Sequence, residues 1–149
     1  MPMRRTVDRD QTVKLFEDIR SSFPHLQMDL QLWHRHVEVW MEARRQPGLM
    51  FDVNLNLQGD ELHLSAGVFW FEWFPSTNPE VIRKYRDAID GLLSGKYRIL
   101  EHYIGPRPVK AQLQEPDGAG WRTIATWCNL RALIPRRRTT RVLQNLPAE

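Results

Sequence analysis

Residues 53–74 read VNLNLQGDELHLSAGVFWFEWF, and their periodicity decides the fold class. Val53, Leu55 and Leu57, continuing from Phe51, alternate with Asn54 and Asn56. Beyond Gln58-Gly59-Asp60, Leu62, Leu64, Ala66 and Val68 alternate with Glu61, His63 and Ser65. Successive side chains of a strand point to opposite faces. The stretch therefore predicts a hairpin about Gly59 with one dry face and one wet face. Leu55 and Leu62 are expected in the core, and Asn54 and His63 outside it. The second strand is expected to continue into the aromatic segment and to stop at Pro75.

That segment is the most unusual part of the chain. Five of the six residues from Phe69 to Phe74 are aromatic, the exception being Glu72. In a strand, Phe69, Phe71 and Trp73 face one way and Trp70, Glu72 and Phe74 the other. Apolar residues on both faces cannot all pack against one layer of helices. One face meets the core; the other meets a covering element, a second subunit or a partner. Glu72 marks the Trp70/Phe74 face as the one nearer water. Trp70, Glu72 and Phe74 are therefore the candidate binding surface.

Working outward, residues 8–22 predict a helix, with Asp8 as a cap, Gln11 three residues on, and Thr12, Leu15, Phe16, Ile19 and Phe23 at helical spacing. Pro24 ends it. Residues 26–46 fit two patterns. Met28, Leu30 and Leu32, then Val37, Val39 and Met41, alternate as in strands, while Leu30, Trp33, Val37, Trp40, Met41 and Arg44 also fit a helical stripe. One or two strands are expected, because Pro47-Gly48 resembles a turn into the next strand. Residues 79–94 predict a helix with Asn78 as cap, Pro79 in its first turn and Gly95 as its stop. Val81, Ile82, Tyr85, Ile89, Leu92 and Leu93 form its apolar stripe. Three strand-like runs follow at 96–104, 108–114 and 121–128. In the second, Val109, Ala111 and Leu113 point inward; in the third, Trp121, Thr123, Ala125 and Trp127 share a face. Residues 115–120, EPDGAG, read as the turn between them.

The totals fit this picture. A chain of 149 residues with 42% hydrophobic and 26% charged residues is the size and composition of one ordinary domain. No apolar stretch approaches the ~20 residues of a membrane helix, and no apolar run follows the N-terminal arginines as in a signal peptide. Cys128 is the only cysteine, which points to a reducing compartment, the cytoplasm, and to a buried, inert thiol. Five of the 21 lysines and arginines and one of the 18 acids lie after residue 130. The remainder, with 16 bases and 17 acids, is near neutral, so the basicity belongs to the C-terminus.

Several constellations invite chemistry. His34 and His36 share a strand face and can chelate, with His63, Glu72 or His102 as a third ligand. No second pair with ligand spacing exists, so the expectation is solvent-facing histidines, no metal and no cofactor. Glu72 is expected to be solvated or paired with Arg98 or Arg83; buried, it would be a candidate acid or base. A pocket between sheet and helices, using Glu72 with His63 or His102, is the alternative reading. Glu101 and His102 are adjacent in a strand and point apart, so they form no dyad. No nucleophile elbow, phosphate-binding loop or His-Glu-x-x-His motif is present. The six tryptophans are read as core or contact residues before a stacking platform. Arg136, Arg137, Arg138 and Arg141 can touch phosphates or an acidic partner.

The expected architecture is α+β: a mostly antiparallel sheet of about six strands with two helices on one face. The element order is α-β(3–4)-α-β(3). Residues 1–130 form a single domain and 131–149 a basic tail. The order is loosely similar to that of secretion-chaperone-like and bacterial immunity-type α+β domains. The likeness rests on element order and implies a binding role. The expected function is a protein–protein interaction module, engaging a partner or a second copy and not catalysing a reaction, with no membrane association. Nucleic-acid contact through the arginine-rich tail is the third reading.

Overall fold

A computed structural model describes residues 2–34 and 37–146, the side chains of 2–8 and 34 excepted. The chain runs α1 (Pro2–Ser22), β1 (Asp29–His34), β2 (Val37–Ala43), β3 (Val53–Gln58), β4 (Glu61–Ala66), β5 (Phe69–Trp73), α2 (Pro79–Ser94), β6 (Arg98–Ile104), β7 (Arg107–Asp117), β8 (Gly120–Cys128), a 3₁₀ turn (Leu130–Leu133) and β9 (Thr139–Gln144). It is an α+β fold with two antiparallel sheets in place of the one expected. The first is an ordered meander, β1-β2-β3-β4-β5; the second has the order β8-β7-β6-β9.

The difference begins at Gly67. The strand expected to run unbroken from residue 61 to Pro75 turns back at Gly67-Val68, and β4 and β5 pair with each other. Gly67 supplies φ 58°, a left-handed conformation that glycine adopts without a Cβ penalty. The Val68 N–H donates to Glu101 Oε2 at 2.8 Å, so this turn also docks the first sheet on the second. Residues 26–46 resolve into β1 and β2, as one of the two sequence patterns requires.

Inward residues of both sheets and both helices form one core. Val39, Leu55, Leu57, Leu62, Leu64 and Phe69 pack with Phe16 and Ile19 of α1, Tyr85, Ile89 and Leu92 of α2, and Ile99, Ala111 and Leu113 of the second sheet. Of the predicted stripe of α2, Tyr85, Ile89, Leu92 and Leu93 are buried, Ile82 packs against the core and Val81 is half-buried. Its ends follow the sequence signals: Asn78 Oδ1 accepts from the Glu80 and Val81 N–H groups, and Gly95 takes φ 83°. α1 is longer than expected, beginning at Pro2, so Asp8 lies inside the helix and does not cap it.

Two further expectations change. The third run of the C-terminal half does not present one face. A bulge lies between the pairs Leu113–Ala125 and Gln114–Thr123. Leu113 and Gln114 point to opposite sides of β7, so Ala125 and Thr123 do as well. Residues 139–144, expected within a basic tail, pair with β6 along its length as β9. Leu143 packs against the core, while Leu133 and Leu146 are exposed. Beyond β9, the side chain of buried Asn145 accepts from Met50 N–H at 3.0 Å and donates to Gly48 O at 2.9 Å and Leu93 O at 2.6 Å. The C-terminal segment is thus part of the fold. Among the described residues, no helix is long and apolar enough to cross a membrane.

Candidate functional site: the outer face of the five-stranded sheet

Among the described residues, no element forms a layer over one face of the first sheet. Its register aligns Gln31, Trp40, Asn56, His63 and Glu72 in a row across all five strands. The inward row beside it is Leu30, Met41, Leu55, Leu64 and Phe71. Strand alternation thus makes the inward row wholly apolar and the outward row polar except for Trp40. A shallow depression of about 500 Å³ at the β1–β3 end of this face is lined by Asp29, Gln31, Trp40, Glu42, Asn54 and Asn56, among others.

The aromatic segment divides as its alternation predicts. Phe69 is fully buried, and Phe71 and Trp73 pack on the core, with Trp73 edge-on to Tyr85 at 5.4 Å. On the other side Trp70 is 41% exposed and Phe74 57% exposed, with half-buried Glu72 between them. β5 is an edge strand of the sheet, so these side chains stand at the rim of the outer face.

His63 lies on the outer face but is not solvated: it is only 4% exposed. β4 is interior to the sheet, and longer neighbours fold over the imidazole. Trp70 lies edge-on to it at 5.0 Å. Gln58 Nε2 reaches Nδ1 at 3.3 Å. Glu61 Oε2 lies 2.9 Å from Nε2, and Glu72 Oε2 lies 3.8 Å from the same nitrogen. Glu61, His63 and Glu72 thus form a compact cluster whose donor atoms all lie within 4.8 Å of one another. The hydrogen bond with His63 holds the Glu61 carboxyl below its usual range. The hydrogen bond with Glu61, followed by partial desolvation, pushes the Glu72 carboxyl above its own. Two carboxyl groups contest one space, which favours a shared positive charge between them.

The other anticipated residues go elsewhere. His102 sits on β6 and bonds Gln112 Oε1 at 2.9 Å, in the second sheet and outside the cluster. The space between the first sheet and the helices is filled by the apolar core, and Glu72 and His63, the pair of the alternative reading, meet on the outer face of the sheet. Arg98 and Arg83 do not pair with Glu72. Arg98 lies over the Trp121 ring at 4.4 Å and bonds Gln114, while Arg83 meets Glu80 and Asp87. Glu101 and His102 point apart as expected. Glu101 is buried, bonded to Val68 N–H and the Tyr103 hydroxyl. The His34 side chain and His36 lie outside the described residues. Cys128, expected buried, is exposed at the end of β8, because inward-facing Trp127 takes the core position beside it. The tail arginines do not form one patch. Arg136 and Arg137 are exposed, Arg138 donates to Ala132 O, and Arg141 in β9 lies against the Tyr103 hydroxyl.

Glu61 is the functional candidate that sequence reasoning passed over. It stands two residues before His63 on the same strand face, and that spacing is its signal. Comparison with protein-family models, curated protein sequences and solved structures finds no match to this chain.

Proposed function

We propose that the chain is a protein-interaction module whose contact surface is the outer face of the first sheet, centred on Trp70, Glu72 and Phe74. The observation that carries this reading is the pair of exposed aromatics at the rim, at 41% and 57% exposure, flanking a carboxylate on an edge strand. Large aromatics beside a polar rim have the composition of interface hot spots. The same face carries Asp29, Glu38, Glu42, Glu61 and Glu72, against the guanidinium of Arg44, which pairs with Glu42. Its complement is a basic protein surface. Self-association through this face would set those carboxylates against their own copies, so a heterologous partner fits better than a homodimer. The role is binding without catalysis, in the manner of chaperone- or immunity-like domains.

The test uses the purified chain as bait in extract of its source organism, with Trp70→Ser/Phe74→Ser and Trp73→Ser as comparisons. The double rim variant is expected to keep cooperative melting and to lose a salt-sensitive binder. Each aromatic truncation is expected to cost ~2 kcal/mol of binding, about thirtyfold in Kd. Trp73→Ser is expected to lower the melting temperature, because Trp73 packs on Tyr85 and Phe71. If the double rim variant retains every binder that the unaltered chain captures, the contact surface lies elsewhere.

A further inference from the structure

We infer that Glu61, His63 and Glu72 bind a divalent transition-metal ion of the zinc type, with a coordination position open to solvent. In the sequence the chelating pair is His34 and His36, where no metal is expected; the register of the sheet assembles a different set. Glu61 and His63 stand two apart on β4, and Glu72 faces His63 directly across on β5. Three ligands therefore come from one hairpin, at positions fixed by backbone pairing.

The distances suit the ion. With bonds of about 2.0–2.2 Å, neighbouring donors of a tetrahedral zinc site lie roughly 3.3–3.6 Å apart. The imidazole Nε2 is 2.9 Å from Glu61 Oε2 and 3.8 Å from Glu72 Oε2, values that straddle that spacing. The two glutamates keep more than a third of their side-chain surface open, at 38% and 37%, so small rotations equalise the distances. The imidazole is the fixed ligand. It is more than nine-tenths buried, braced by Trp70 on one side and Gln58 on the other, with Nε2 aimed at the carboxylates.

The chemistry of the donors selects among ions. One imidazole with two carboxylates suits zinc, cobalt, nickel or manganese, whereas calcium and magnesium favour all-oxygen shells. A dication also cancels the two carboxylate charges. The second shell can follow. When Nε2 ligates a metal, Nδ1 carries the ring proton, and turning the Gln58 amide end for end offers it a carbonyl acceptor. Trp70 closes one flank, and the solvent side of the glutamates leaves room for water or for a donor group from a bound protein. The site shares Glu72 with the proposed contact surface, but metal binding is measured without a partner, so the two readings fail separately.

The experiment is equilibrium dialysis of the untagged, metal-free chain against Zn²⁺ at neutral pH, with elemental analysis, and a parallel Co²⁺ titration followed by visible absorption. One Zn²⁺ per chain is expected, with the intense visible bands of four-coordinate Co²⁺. Because His63→Gln alters a buried residue, Glu61→Gln and Glu72→Gln carry the decision. Each is expected to weaken binding at least tenfold while leaving the melting curve of the metal-free protein in place. Removing both carboxylates should abolish the cobalt spectrum, and His34→Ala should change nothing. Absence of a stoichiometric ion, or a bound ion that survives Glu61→Gln/Glu72→Gln, overturns the assignment.

Discussion

Replacing Gly67 by alanine tests how the two sheets are joined, and a matched control isolates the joint. Gly67 adopts φ 58° and Gly59 adopts φ 63°. In that region a residue with a Cβ loses about 1–2 kcal/mol relative to glycine. Around Gly59 nothing lies within 4 Å of the added methyl group, so Gly59→Ala carries the conformational cost alone. At Gly67 the new Cβ would clash with Leu143 Cδ1 and lie 2.6 Å from Glu101 Oε2. The leucine methyl can rotate away. The carboxylate cannot, because Val68 N–H holds it at 2.8 Å and the Tyr103 hydroxyl at 3.0 Å. Displacing it disrupts a buried hydrogen bond to a charged group, worth about 1.5–3 kcal/mol. Gly67→Ala should therefore destabilise the fold by about 2.5–5 kcal/mol, and Gly59→Ala by about 1–2. Urea unfolding followed by tryptophan fluorescence measures both against the unaltered chain. A difference between the two variants below about 0.5 kcal/mol, within the usual scatter of surface substitutions, would refute the close approach of Gly67 to Glu101 as the link between the sheets.

Two other outcomes follow from the packing. Leu55→Ala removes a side chain that is 3% exposed at the centre of the first sheet and should cost ~2–5 kcal/mol in urea unfolding; a loss below about 1 kcal/mol would contradict its place in the core. Truncation after Arg138 deletes β9 and Asn145, uncovering the β6 edge and leaving Met50 N–H, Gly48 O and Leu93 O without their side-chain partner. Of these, the Leu93 O bond is buried and costs about 1–3 kcal/mol when left unpaired; with the loss of the β6 ladder the truncated chain should lose cooperative melting, and an unchanged melting curve would return this segment to the status of a tail.

Much of the first sheet was legible because its signal is local. Alternation in 53–66 needs no knowledge of the rest of the chain, and the cap at Asn78 with the stop at Gly95 is written in neighbouring residues. What escaped depends on long-range pairing. β9 carries exposed Thr139, Thr140, Arg141 and Val142, with Leu143 alone packed inward. Such a pattern resembles a solvated tail until β6 supplies the ladder. The bulge opposite Leu113 and Gln114 inverts part of β8, and no periodicity in residues 121–128 announces it.

The candidate site turned on a single glycine. With Gly67 interior to one long strand, His63 and Glu72 are nine residues apart and on opposite faces, so nothing in that strand itself brings them together. With Gly67-Val68 as a two-residue turn, pairing is forced: Ala66 faces Phe69, Leu64 faces Phe71, and His63 faces Glu72. Glu61, two residues before His63, then lies on the same face, and the three donors come together. A glycine inside an alternating run is a known signal of a turn or bulge. The sequence reading instead carries the strand through Gly67 into the aromatic segment as far as Pro75. The physical reason for the turn is that Leu62 and Leu64 lie on one face of an unbroken strand and Phe69 and Phe71 on the other, and a two-residue turn brings them to the same face. Folding it back buries Leu62, Leu64 and Phe69 in one core and leaves Trp70, Glu72 and His63 together outside. The apolar residues that close the hairpin therefore set the register that assembles the cluster on its outer face.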